Sequence, residues 1–333
     1  MEDALWYSSI PKVELHIHLE GAIPHDALWH LMQKYGGDPG IPDREALRRK
    51  FVFKNFTHFI ETWIWKNSFI RSYEDIEYIA EMVACDMASQ NIQYAEMYVS
   101  PPDFHRHGLE TQRIIEATRR GFDNVDGIVI GLVPDLVRDF GPQKAMITLQ
   151  EIEEVRDLGV LGIGLGGSER DYPPDLYTEV YRKAHELGFF TSVHAGETAG
   201  AGSIWSAIRN LNPDRIGHGT NAKQDDVLLD YLAKHQTPLE MCPISNVKTG
   251  VVPSIERHPV YDYYQRGLMV SVNTDDPKMF GNTLAAEYEG LVNCLGFSRN
   301  DINKLIVMAI QSSWMPESEK NRMAQDFQKH PCW

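Results

Sequence analysis

Eight short apolar runs, each followed by a longer and more polar stretch, constrain this chain more than anything else in it. They fall at residues 13–19, 93–100, 127–133, 159–165, 190–194, 215–218, 238–242 and 269–273. They are rich in Val, Ile, Leu and Tyr, as strands covered on both faces are. Between them, stretches such as 175–187, 225–235 and 258–266 carry apolar residues at helical spacing. Gly188 and Gly267 follow two of these as stop signals. Strands alternating with helices build a parallel sheet, and eight such strands close a barrel. The expected fold class is α/β, a (β/α)8 TIM barrel.

The 333 residues are enough for one such barrel with local insertions. No low-complexity linker divides them, so residues 1–333 read as one domain. The longest insertion follows the first strand, from about residue 24 to 89. It is expected to be helical and contains the aromatic stretch 51–69, with Phe53, Phe56, Phe59, Trp63, Trp65 and Phe69. At helical spacing these rings read as core; the functional alternative is a gate over the barrel mouth. The chain after residue 298 reads as helical and should pack on the barrel.

Composition removes several function classes. No apolar run reaches the ~20 residues of a membrane span. Residues 1–4 lack the basic stretch of a signal peptide. A net charge of −15 argues against nucleic acid or an anionic membrane as partner. Cys85, Cys242, Cys294 and Cys332 form no CxxC pair and no disulfide framework. They are expected to be buried free thiols in a reducing cytoplasm. Cys242-Pro243 resembles one fragment of the small zinc cytidine-type deaminases. The rest of that signature, His-x-Glu with Pro-Cys-x-x-Cys, is missing, so that class is excluded.

Four polar motifs end apolar runs: His16-Ile17-His18, His194-Ala195-Gly196-Glu197, Gly217-His218-Gly219 and Asn273-Thr274-Asp275-Asp276-Pro277. In a barrel of this kind, strand C-termini converge on one mouth. His16 and His18 are two apart on a strand, so both point to the same side. His194 ends the fifth run. Asp275 follows the eighth, which adjoins the first in a closed barrel. Three His and one Asp suit one Zn²⁺ with a position left for water, and iron, cobalt or manganese accept similar ligands. A divalent ion lowers the pKa of such a water towards ~7. His218, between two glycines, is the candidate to orient or deprotonate it. Glu197 is free to face substrate, and Asp276 can bond a substrate nitrogen. The plainer alternatives are N-caps for Glu197 and Asp276 and a core histidine at 218.

The same motifs carry a resemblance. Together with Pro11-Lys12-Val13-Glu14-Leu15 before His16, Leu19-Glu20-Gly21 after His18, Gly164-Leu165-Gly166-Gly167-Ser168-Glu169 and Met241-Cys242-Pro243-Ile244-Ser245-Asn246, they resemble the adenosine deaminase family of the amidohydrolase superfamily. The resemblance implies one Zn²⁺ per chain on His16, His18, His194 and Asp275, with His18 also against substrate. It implies that Glu197 protonates N1 of a 6-aminopurine while His218 and the metal activate water for attack on C6. Asp276 would accept from N7, and the Gly167 backbone would donate to N3. The products would be a 6-oxopurine and ammonia.

Two departures and one further likeness bear on the substrate. The family's nucleoside enzymes usually carry Asp where Glu20 stands, against the ribose 5′-hydroxyl. Ser168-Glu169 and Pro173-Pro174 resemble adenine deaminases, while Gly167 suits a nucleoside. Residues 51–100, Gly166-Gly167 and residues 194–198 resemble bacterial aminodeoxyfutalosine deaminases, which accept a large 5′ group. The expected substrate is a small 6-aminopurine nucleoside, adenosine or a 5′-modified adenosine; the alternative is free adenine. A binuclear amidohydrolase would need a bridging Lys near residues 164–167, and none is there. A binding protein on this scaffold would have lost ligands or Glu197, and none is lost.

Overall fold

The computed structural model describes residues 2–53 and 56–333; the side chains of residues 2–4, Phe56 and Thr57 lie outside the described set. The eight strands are β1 Lys12–His18, β2 Ile92–Val99, β3 Val129–Pro134, β4 Gly162–Ile163, β5 Phe190–Ala195, β6 Arg215–His218, β7 Leu239–Met241 and β8 Val270–Val272. Each falls on one of the eight apolar runs. All ladders are parallel and follow chain order, as β1-β2-β3 and β4-β5-β6-β7-β8.

Two seams close the ring. Bridges Leu132↔Val160 and Asp135↔Gly164 join β3 to β4, and Ile17↔Asp275 joins the end of β8 to β1. At the second seam His18 N–H donates to Asp275 O at 2.9 Å and Asp275 N–H to His16 O at 3.1 Å. The protein is a (β/α)8 barrel. The fourth run, 159–165, keeps only two residues in a continuous ladder. Three of its seven residues are glycine, which weakens strand pairing.

The helices pack outside the ring. The helix Thr111–Asp123 buries Ile114, Ile115, Thr118 and Phe122 against it, which is the stripe an amphipathic helix offers. The helix Tyr73–Ser89 starts at a Ser72/Asp75 capping box and packs on Thr111–Asp123. It is therefore an outer barrel helix, and the insertion proper ends near residue 72 rather than 89. The insertion holds the helices His25–Lys34, Arg44–Lys50 and Phe56–Asn67. In the C-terminal stretch the helix Arg299–Ser312, also started by a capping box at Ser298 and Asp301, buries Ile302, Leu305, Ile306 and Ile310, and the helix Glu317–Gln328 follows it. The former contacts β8 and β1, as expected for the tail.

Two expectations need correction. The aromatic stretch does not all enter the core: Phe69 is buried and Trp65 leans on the core, but Phe59 and Trp63 face the cleft. Helix Phe56–Asn67 is one layer thick over the mouth, so its two faces divide. The cysteines are all free, but only Cys242 is buried; Cys85 and Cys294 are exposed and Cys332 is half-buried. They sit on outer helices and the tail, where no partner face covers them. Among the described residues, no helix is long and apolar enough to cross a membrane.

Candidate active site

The strand ends bring His16, His18, His194 and Asp275 together, with one ligand atom from each within 4.8 Å of the others, all buried. Asp275 Oδ1 lies 3.5 Å from His16 Nε2 and 3.4 Å from His18 Nε2. His18 Nε2 is 3.3 Å from His194 Nε2. The donor set fits a divalent ion. His16 Nε2 is buried with no hydrogen-bond partner, because its other nitrogen, Nδ1, is held by Glu240 Oε2 at 2.7 Å. A second overlapping set, His16, His218 and Cys242, fits less well, since burial pushes the Cys242 thiol well above its usual range and keeps it neutral.

Burial opposes charge on His16, but Asp275 and Glu240 outweigh it and raise its pKa to about 10. A pocket that holds a proton so firmly attracts a metal cation for the same electrostatic reason. Burial also opposes charge on Asp275, yet the neighbouring imidazoles, His16 first, prevail and hold it below the carboxylate range. Ser245 Oγ donates to its Oδ2 at 2.6 Å. Burial lowers His18 to about 3 and drives His194 well down, leaving both neutral and able to ligate.

Beneath the mouth lies a buried polar layer. Glu240 takes His16 on one side. On the other it meets Arg215 Nε at 2.6 Å, and Tyr98 OH and Ser192 Oγ also donate to it. Arg215 pairs with Glu96 at 2.5 Å and stacks on Trp314 of the C-terminal segment, 3.7 Å from the ring centre. Burial disfavours the Glu240 carboxylate, but Arg215 outweighs that and lowers it to about 2. This layer fixes which nitrogen of His16 faces the cluster.

Glu197, on the loop leaving β5, lies with its Oε2 3.7 Å from His218 Nε2. Burial first, then Asp275 and Glu169, raise its pKa to about 8. Its loop is clamped by one carboxylate: Glu169 accepts the backbone N–H groups of Gly196, Glu197, Thr198 and Ala199. His218 has a left-handed backbone, φ +60°, as Asp275 has at +65°. Such conformations in non-glycine residues are uncommon and gather at functional sites. Burial lowers His218 to about 4, so it is neutral.

The tautomer of His218 follows from its neighbours. Val260 N–H donates to His258 Nδ1 at 3.3 Å, so His258 carries its proton on Nε2, which donates to Asn246 Oδ1 at 3.2 Å. Thr220 Oγ1 donates to the same oxygen at 2.7 Å. The Asn246 amide nitrogen is then left to donate to His218 Nδ1, 3.2 Å away. His218 therefore presents Nε2–H to the site.

Asp276 is buried with Oδ1 unpartnered. Burial and the neighbouring Asp275 push its carboxyl well up, which favours the protonated form. A Cβ at Gly21 would overlap this carboxyl, which explains a glycine there. Gly167 has φ +102°, and a Cβ there would strike Asp139; its backbone lines the cleft with that of Gly166. Glu20 behaves differently from the other expected site residues. It is fully buried, accepts Ser100 N–H at 2.8 Å and does not reach the cleft wall. Its backbone oxygen accepts from the buried ammonium of Lys66, which also donates to Asn67.

Sequence reasoning missed Glu240, Arg215 and Glu96, Asn246 and His258 as a relay, the clamp at Glu169, and Lys66. A charge inside an apolar run, as in Leu239-Glu240-Met241, was a readable signal for the first three. Lys66 had none.

Comparison with known proteins agrees with this geometry. The family model described as adenosine deaminase matches residues 11–330. The chain is 32% identical to an aminodeoxyfutalosine deaminase of Streptomyces avermitilis, over 96% of this chain and 91% of the relative. It is also 32% identical to an adenosine deaminase of Edwardsiella ictaluri, over 94% and 96%. Among solved structures, an adenine deaminase from Arthrobacter aurescens superposes with a TM-score of 0.91 at 26% identity, over 96% of this chain and 98% of that one. The chain belongs to the adenosine deaminase family, metal-dependent deaminases of the amidohydrolase superfamily.

Proposed function

We propose that the protein is a zinc-dependent hydrolytic deaminase of a 6-aminopurine nucleoside, adenosine or an adenosine extended at the 5′ position. The observation that carries this reading is the placement of a buried Glu197 carboxyl and a metal-type cluster of three His and one Asp on one cleft. An aromatic amine leaves C6 only after the ring is protonated and water adds. A zinc ion on His16, His18, His194 and Asp275 supplies the Lewis acidity that makes water reactive at neutral pH.

The chain's own groups do the rest. Glu197 holds a proton at its carboxyl and delivers it to N1. Neutral His218 donates Nε2–H to the incoming water oxygen and orients it; in this tautomer it is an orienting group and not a base. Water loses two protons on the way to the 6-oxo group: one passes through the Glu197 carboxylate to the departing amino group, which leaves as ammonia, and the other restores the Glu197 carboxyl. Protonated Asp276 donates to N7, a lone-pair nitrogen that an ionised carboxylate would repel. The Gly167 backbone N–H serves N3. His18, on the cleft wall, sits against substrate as well as metal.

Cleft size favours a nucleoside over a free base. The cavity is about 900 Å³, near the top of the ~300–1,000 Å³ of small-molecule sites. A free base would leave most of it filled with water. The names its relatives carry cover adenosine, aminodeoxyfutalosine and adenine. The test is ammonia release from adenosine, adenine, aminodeoxyfutalosine and 5′-methylthioadenosine by zinc-loaded protein. A nucleoside should win by at least tenfold in kcat/KM. Preference for adenine would overturn the nucleoside reading, and silence on all four would overturn the purine assignment.

A further inference from the structure

We propose that Lys66 is a positioning residue for the reaction: its buried ammonium ties the helix over the mouth to the turn after β1, and through that turn it seats Asp276. This role rests on the nucleoside deaminase reading. Lys66 does not line the cleft and touches no substrate; it acts through the groups it holds.

Lys66 is buried near the end of the helix Phe56–Asn67. Its Nζ donates to Glu20 O at 2.7 Å and to Asn67 Oδ1 at 2.7 Å. It also stands 3.9 Å from the ring centre of Trp63, one helical turn back. Two carbonyl oxygens and one aromatic face thus serve its three donors. Burial lowers its pKa to about 8, and the nearby Glu20, Asp276 and Asp103 carboxyls oppose that fall. The cationic form therefore prevails at neutral pH.

Each of these neighbours leads to the cleft. An ammonium only donates, so it claims the Asn67 oxygen and leaves Nδ2 to donate to Asp103 Oδ2 at 3.4 Å. Trp63 Nε1 donates to the same oxygen at 3.1 Å. Trp63, Asn67 and Asp103 all line the cleft. The tie to Glu20 runs the other way. Its carbonyl belongs to the peptide that carries Gly21, and Gly21 packs so closely on Asp276 that a Cβ there would overlap the carboxyl. Shifting that peptide shifts the surface on which Asp276 rests. Asp276 Oδ1 has no protein partner, so this packing is what aims it at N7. Taking an ammonium out of water is expensive, and a methionine would fill similar space. What methionine lacks is the pair of donors that locks helix and turn together.

The experiment compares zinc-loaded wild type, Lys66→Met and Lys66→Gln. It measures ammonia release from adenosine and the binding of 7-deazaadenosine, which has carbon in place of N7. Lys66→Met should raise KM for adenosine about tenfold while kcat and metal affinity stay close to wild type, the pattern of lost uniform binding. It should also shrink the preference for adenosine over 7-deazaadenosine about fivefold, the worth of one net hydrogen bond, because a displaced Asp276 no longer tells nitrogen from carbon. Lys66→Gln keeps one donor and should fall between. A lysine that only supports the fold would lower thermal stability while the folded protein kept both values. That result, or loss of metal, overturns the positioning role and leaves the deaminase reading intact. If Lys66→Met does not fold, Lys66→Gln decides by the same two values. A wild type that neither binds adenosine nor releases ammonia from it overturns the nucleoside reading and this role with it.

Discussion

At the inner end of the cleft, His16, His18, His194 and Asp275 stand on strands or directly after them, and hydrogen-bonded neighbours hold each backbone. At the outer end, Trp63, Asp103, Arg106 and Lys144 stand on helices laid over the barrel, outside the strand ladders. The inner end also has a second layer, from Glu240 to Arg215 to Glu96, that leaves His16 only one orientation. The outer end has a looser one, in which Asp103 meets Trp63 and Asn67, and Asn67 meets the buried Lys66. Chemistry that needs atoms placed within about 0.5 Å belongs on the first kind of support, while selection among substrates tolerates the second. Changes at the inner end should therefore act on metal and turnover, and changes at the outer end on KM.

The largest effect is expected at Glu197. Glu197→Gln removes the proton donor without touching a ligand, so turnover should fall roughly 10²–10⁴-fold while metal content stays that of the wild type. Near-normal rates, or metal loss, would contradict the proton-donor role. The pH profile carries the same argument. The pKa of Glu197 is raised to about 8, and the protonated form is the active one. Activity should be present below that value and decline as pH rises through it, and a profile flat from pH 7 to 10 would sink the assignment.

The next effect is expected one layer down. Glu240→Gln keeps the shape but removes the charge that orients His16. Metal affinity, read by competition with a chelator, should fall ~10–100-fold, while the metal-saturated variant keeps most of its turnover. Unchanged affinity would mean that the strands alone position His16, and the contrast between the two ends would lose its physical basis.

The same contrast explains what was legible in the sequence. Strand-end residues are readable because a strand alternates sides every residue and a parallel barrel sends all its C-termini to one mouth. His16, His18, His194, Asp275, Glu197, His218 and Asp276 could be placed together without coordinates. Arg106 and Lys144 could not. Their positions depend on how a 3₁₀ turn and a following helix rest on the barrel, which no periodicity encodes. Lys66 is a clearer case still: nothing marks it among the charged residues of the insertion, yet it is fully buried beside Glu20. Glu20 itself was read from its place after β1 as a substrate contact. In the structure that place turns it into the packing beneath Ser100, because the chain bends into a 3₁₀ turn at Glu20–Ala22. The Asn246–His258–Thr220 relay was hidden for another reason. It assembles from three separate segments, and only the sequence of donors and acceptors around Asn246 Oδ1 gives it meaning.

The smallest effect, and the sharpest test of the outer end, is expected at Trp63. Trp63→Phe keeps an aromatic wall and loses one hydrogen bond, Nε1–H to Asp103. A net hydrogen bond is worth about 1 kcal/mol, so KM for a 5′-extended nucleoside should rise about fivefold. Turnover and metal affinity should not move, since no hydrogen bond links Trp63 to the cluster. A fall in turnover or in metal affinity would mean that the helix over the mouth is mechanically coupled to the strand ends, and the division of labour between the two ends would fail.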